Sequence, residues 1–120
     1  MTTQEVATRL VELCREGLYM EAAQELYSPN IISIEPEGTP HPRVQGMEAI
    51  AKKGEAWREM MEEIQSSTIS DPIVAENFFS VTMKSTVLMK DQSVIDMEEL
   101  CVYQVADGKV VQDQFFYTVG

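Results

Sequence analysis

Basic residues are scarce in this chain: nine Lys and Arg stand against twenty Asp and Glu, a formal net charge of −11 over 120 residues. A field of that sign repels phosphate backbones and anionic lipid surfaces, so nucleic acid is not an expected partner, and most surface acids are read as solubilising. Histidine is rarer still, with His41 alone, and the two cysteines, Cys14 and Cys101, lie in apolar periodic patterns without paired metal-ligand spacing. Zinc is therefore not expected, and buried reduced thiols are favoured over a disulfide, which suits a cytoplasmic setting. No apolar run approaches membrane-spanning length, and Met1 to Leu10 mixes charges into its apolar residues without a signal-type core, so neither a membrane span nor a leader is expected. The sequence also lacks a dinucleotide glycine fingerprint, a phosphate-cradling loop, a nucleophile-elbow serine and an acidic motif of metal-ligand spacing. No cofactor or metal is expected, and nucleophilic hydrolysis and nucleotide chemistry are disfavoured. The length suits a single domain, 1–120, with one core.

What is present divides into a helical first half and a strand-rich second half. Thr2 and Glu5 form a capping-box pair, and Val6, Leu10, Leu13 and Cys14 recur at helical spacing up to Gly17. Met20, Ala23, Leu26 and Tyr27 repeat that period in a shorter helix expected to stop at Ser28-Pro29. Ile31 to Glu35 reads as a short strand closed by Pro36, followed by an irregular loop through Gly38, Pro40 and Pro42. Gly46 then opens a long helix with the stripe Met47, Ile50, Gly54, Trp57, Met61 and Ile64, whose charged positions, Lys52, Lys53, Glu55, Arg58, Glu59, Glu62 and Glu63, are assigned to a solvated face. Strand-like runs follow at 68–75, 78–89, 94–105 and 110–119, separated by turns at Glu76-Asn77, Lys90 to Ser93 and Asp107-Gly108; Pro72 places the first run near an edge or a bulge. The expectation is an α+β domain, three helices packed on one face of a mainly antiparallel sheet.

Strand parity singles out two acids. Every second residue from Ile95 gives Ile95, Met97, Glu99, Cys101, Tyr103 and Val105; from Val111 it gives Val111, Asp113, Phe115, Tyr117 and Val119. Each apolar side carries one carboxylate, and a carboxyl in such a lining has its pKa raised toward the range useful for proton transfer. The alternatives are a rim position or a parity-reversing bulge for Glu99, with Glu98 then inward, and a solvated hairpin end for Asp113. Trp57, with Met60 or Met61, and Phe115 are candidate lining residues or plain core, while Tyr103 and Tyr117 offer hydroxyls to a ligand oxygen or to the acids. His41 is a candidate lid residue or proton shuttle, or simply an exposed loop histidine. Glu35 reads by itself as a strand-end surface acid.

The helix end Glu25-Leu26-Tyr27, the strand Ile31 to Pro36, the helix start Gly46 to Ile50, and the segment from Tyr103 to Val111 with Phe115-Phe116-Tyr117 together resemble a SnoaL-like protein of the nuclear transport factor 2-like superfamily, relatives of ketosteroid isomerases and polyketide cyclases. The resemblance implies a cone-shaped fold with a curved sheet and a cavity on its concave side. It also implies that Glu35, an acid before a proline, stands where isomerase-like members place their general base. Their oxyanion donors do not carry over: Leu10 and Val11 occupy the place of a tyrosine, and their protonated acid falls nearest Cys101, beside Glu99. The aspartate and histidine of SnoaL-like cyclases are likewise unmatched as a set.

Two functions follow as expectations. One is acid-base isomerase or cyclase chemistry next to a carbonyl, with Glu35 removing a proton and Glu99 or Asp113 stabilising or returning it, on a small apolar or carbonyl-containing molecule. The other is a non-catalytic ligand-binding or dimerisation domain of the same fold. A homodimer through the sheet is expected from the resemblance and from Phe78, Leu88, Leu100, Val102 and Phe116 on its outer side.

Overall fold

The computed structural model describes residues 1–119, which form three helices and a seven-stranded sheet. The elements run α1 (Thr3–Arg15), α2 (Tyr19–Leu26), β1 (Tyr27–Ile34), β2 (Arg43–Gln45), α3 (Met47–Met60), β3 (Met61–Ile69), β4 (Ile73–Ala75), β5 (Phe78–Met89), β6 (Val94–Ala106) and β7 (Lys109–Phe116). The capping box at α1 forms as expected: the Thr2 amide donates to Glu5 Oε1 at 2.8 Å and the Glu5 amide donates to Thr2 Oγ1 at 3.1 Å. Gly17 closes α1 at φ +77°, a conformation that a side chain would strain. No described helix is long and apolar enough to cross a membrane.

The sheet order is β2-β1-β7-β6-β5-β3, with β4 also on β5, and every pairing is antiparallel except β1 with β7. Asp107 and Gly108, both at positive φ, make the expected tight turn between β6 and β7. One face of the sheet receives the helices. Val6, Leu10 and Leu26 from α1 and α2 join Ile31, Phe79, Val81, Cys101, Tyr103 and Val110 in a single core cluster, while Phe78, Leu100 and Phe116 on the opposite face stay exposed. Both cysteines are free and buried, and burial pushes the Cys14 thiol up to about 11.

Several boundaries differ from expectation for identifiable reasons. The third helix stops at Met60, so Met61 and Ile64, whose spacing continues the helical stripe, belong to the edge strand β3, which starts with no intervening residue. That strand carries irregularities between Met61 and Glu63 and between Ile64 and Ser66, and extra residues of this kind bend a strand. The run 68–75 splits at Pro72 into the end of β3 and the short β4, both of which pair only with β5, consistent with an edge position. Strand β1 begins at Tyr27 and includes Pro29, where a helix stop and a gap were expected; its register on β7 is irregular between Tyr27 and Ile32, which accommodates the missing amide. The segment after Pro42 forms the short strand β2 rather than loop alone. Finally, β7 carries an extra residue between the pairs Gln104–Gln112 and Val105–Val110, so Val110 is fully buried and Val111 is not, although Asp113 and Phe115 keep their expected side.

Candidate functional site

Alternation along β1 turns Ile31 and Ser33 into the protein, and the parallel register sets Ser33 opposite Asp113 of β7; the two are 1% and 2% exposed. Asp113 lies in turn opposite Tyr103 of β6, and Cys101 opposite Phe115, so three adjacent strands present their side chains to one patch of the inner face. Tyr27, at the junction of α2 and β1, donates its hydroxyl to Asp113 Oδ2 at 2.6 Å. Asp113 Oδ1 has no partner among the described residues. Burial raises the Asp113 pKa, against the pull of Ser33, Tyr27 and Lys53 toward the anion. Burial outweighs that pull and moves Asp113 toward its neutral form.

Above this acid lies an ion pair. The Glu35 amide donates to the Pro42 carbonyl at 2.7 Å, fixing the residue where β1 gives way to the loop. Its carboxylate is 16% exposed and engaged at both oxygens: Lys53 Nζ of α3 lies 2.9 Å from Oε1, and the Tyr117 hydroxyl donates to Oε2 at 2.9 Å. The same ammonium donates to Ser33 Oγ at 3.0 Å and sits 5.3 Å from the centre of the Phe115 ring, a favourable cation–π distance. Burial and the Glu35 charge push the Tyr117 phenol above its ordinary pKa.

Glu99, opposite Met83, faces the same side, whereas Glu98 points out toward Lys84. Burial, with the neighbouring Glu35 charge next, raises the Glu99 pKa. The Cys101 thiol, itself raised by burial and by Glu99, approaches Glu99 Oε2 at 3.8 Å. The inner face thus holds three carboxyls and one ammonium, two of the carboxyls driven toward the neutral form.

Of the residues expected at a site, Glu35, Glu99, Asp113, Phe115 and Tyr117 come together. Trp57 is half-buried on α3, whose apolar stripe lies over the sheet with no residue fully buried. Met61 sits on β3 rather than on the helix, half-buried. Tyr103 is core, stacked on Phe79 with ring centres 4.7 Å apart. His41 is exposed in the loop after β1, a position that suits the plainer reading of it. Three site residues escaped the sequence reading: Lys53, Ser33 and Tyr27. Lys53 had a signal, since it falls three residues after Ile50 and four before Trp57, on the stripe that faces the sheet. Ser33 shared a side with Ile31, while Tyr27 looked like the end of a helix.

Two surface depressions, of about 320 and 310 Å³, lie elsewhere. One is lined by Thr68, Lys84, Thr86 and Glu98 on the far part of the sheet, the other by Thr8, Arg15 and Asp71 beside α1. Neither coincides with the inner-face group of Glu35, Glu99 and Asp113, where the resemblance implies a cavity. Among the described residues no group of His, Cys, Asp and Glu is arranged to hold a metal ion.

Comparison with known proteins agrees with this architecture. A Mesorhizobium loti protein with the provisional label of SnoaL-like polyketide cyclase superposes with a TM-score of 0.92 at 29% identity, over 98% of this chain and 100% of that one. A Pseudomonas putida protein, provisionally a polyketide cyclase, gives 0.74 at 14% identity over 99% and 93%. A Catenulispora acidiphila protein of ketosteroid isomerase-like fold, in complex with trimethylamine, gives 0.75 at 15% identity over 96% and 86%. No curated protein matches the sequence. The model of the SnoaL-like domain matches residues 1–117, and the chain belongs to that family.

Proposed function

We propose that this protein binds a small, largely apolar carbonyl compound between α3 and the sheet and moves a proton on the carbon next to the carbonyl. The observation that carries this reading is the gathering of Glu35, Glu99 and Asp113 on one inner face, with Glu35 contacted by Lys53 and Tyr117 and Glu99 by Cys101. Burial moves Glu99 toward its neutral form, which suits the role of acid beside a second carboxyl that acts as base. Glu35 takes the proton, the C–H electron pair becomes the new C=C bond, and the carbonyl pair moves onto oxygen. Protonated Glu99 donates a hydrogen bond to that oxygen, and where the substrate carries a second C=C bond next to the enolate, the oxygen pair re-forms the carbonyl, the double bonds shift and the far carbon takes the proton back from Glu35, an isomerisation without a cofactor. The part-exposed stripe Met47, Ile50 and Trp57 of α3, with Met83, Met97 and Phe115 on the sheet, supplies apolar contact.

The test is exchange of the α-hydrogens of 2-tetralone in D₂O, followed by NMR. The protein accelerates exchange, and Glu35→Gln lowers the rate by about 10²-fold or more while the fold is retained. Exchange that is unchanged in both Glu35→Gln and Glu99→Gln overturns the catalytic roles. The engagement of both Glu35 oxygens by Lys53 and Tyr117 favours a second reading, ligand capture without chemistry, which predicts 2-tetralone binding and no exchange. On the outer face Leu100 and Phe116 are directly paired and both exposed, and with Phe78 they offer an apolar surface that suits a second copy of the chain.

A further inference from the structure

Lys53 is 31% exposed along its side chain, yet its ammonium is held by three groups of different kinds: a carboxylate, a hydroxyl and an aromatic face. It is the cation among the inner-face groups described above, set among Glu35, Glu99 and Asp113, with the phenols of Tyr117 and Tyr27 and the thiol of Cys101 completing the titratable neighbours. Each Glu35 oxygen already accepts one contact, Oε1 from Lys53 and Oε2 from Tyr117, so a ligand proton must compete with a cation and a phenol for this carboxylate.

We infer that Lys53 is the binding group for the ligand's oxygen, and that a ligand bearing a carbonyl or enolate-type oxygen on an apolar ring system takes this ammonium away from Glu35 and so frees Oε1. The inference rests on the proposed function for its substrate class, but it assigns recognition to a residue outside the acid pair. An ammonium has three donors on a flexible stem and can exchange one oxygen acceptor for another without moving the helix that carries it. Phe115 beneath the ammonium sets the level at which an apolar ring meets the sheet. A cationic ligand gains nothing from this arrangement, because it meets Lys53 at the point where the carboxylate is already satisfied.

Equilibrium dialysis at neutral pH with four probes of one shape separates the possibilities: naphthalene, 2-acetylnaphthalene, 2-naphthoate and 2-naphthylmethylamine. The ketone and the carboxylate bind about tenfold or more tighter than naphthalene, the amine does not, and Lys53→Met abolishes the preference while Lys53→Arg keeps most of it. Because Glu35 competes with the ligand for Lys53, Glu35→Gln tightens 2-naphthoate binding, again by about tenfold. Preference for the amine, equal binding of all four probes, binding of none, or selectivity unchanged in Lys53→Met overturns the inference. Selectivity that follows Lys53, with no exchange of 2-tetralone by the wild type, leaves recognition standing and removes the catalytic reading alone.

Discussion

Tyr27 and Asp113, 86 positions apart in sequence, share a hydrogen bond of 2.6 Å at the bottom of the inner face. It joins the start of β1 to the middle of β7 and satisfies one oxygen of an acid that is almost wholly buried. Tyr27→Phe removes the hydroxyl that donates to Asp113 Oδ2 and lowers stability by about 1–3 kcal/mol, measured by urea denaturation. A loss below a few tenths of a kcal/mol would show the bond to be energetically idle.

Asp113 and Glu99 also make stability depend on pH in a definite direction. Both have raised pKa values, chiefly through burial, so between the unfolded carboxyl pKa of about 4 and their folded values the native state holds more protons than the unfolded one. Their contribution is fully present below that window and is lost as pH rises through it. Glu5, Glu25 and Asp91 have lowered values and act in the opposite sense, so the readout is the difference between variant and wild type. Asp113→Asn and Glu99→Gln each gain on the wild type as pH rises from 4 to 8 in urea midpoints. A difference independent of pH contradicts the assignment.

The ion pair of Lys53 with Glu35 is less exposed than an ordinary surface pair and should couple accordingly. A double-mutant cycle of Lys53→Met and Glu35→Gln gives an interaction energy of about 0.5–3 kcal/mol in chemical denaturation. The exposed pair Lys84–Glu98 serves as the control, with about 0.2–1 kcal/mol at most.

Association through the outer face is tested at its centre. Light scattering of the wild type gives twice the chain mass of 13.5 kDa, and Leu100→Glu or Phe116→Glu returns the single-chain mass, since an unpaired charge in an apolar contact is costly. A monomeric wild type at working concentration removes the proposed dimer.

Much of this architecture was legible because local signals agreed with one another. The Thr2–Glu5 box, Gly17, the Asp107-Gly108 turn and the alternation from Met97 to Val105 each point to the element that forms. The junctions were not legible. Between Met60 and Met61 no glycine or proline marks the change from helix to strand, and Met61 and Ile64 fall by coincidence on the helical stripe. The site divided the same way. Inward acids show in a strand of period two, but Lys53 looked like one of seven charged residues on a helix, and its role depends on which strand the helix crosses, information that only the tertiary packing holds.

The placement of β7 has a further consequence for how the molecule comes into being. Strands β1 and β2 reach the remainder of the sheet only through β7, and Asp113, Phe115 and Tyr117 all lie on or just beyond it. Without Lys109–Phe116 the two portions of the sheet have no strand between them, so this one strand both closes the sheet and brings Asp113 and Phe115 to the ion pair. A chain cut before Lys109 keeps Glu35, Lys53 and Glu99 in its sequence but lacks the strand that sets β1 beside β6.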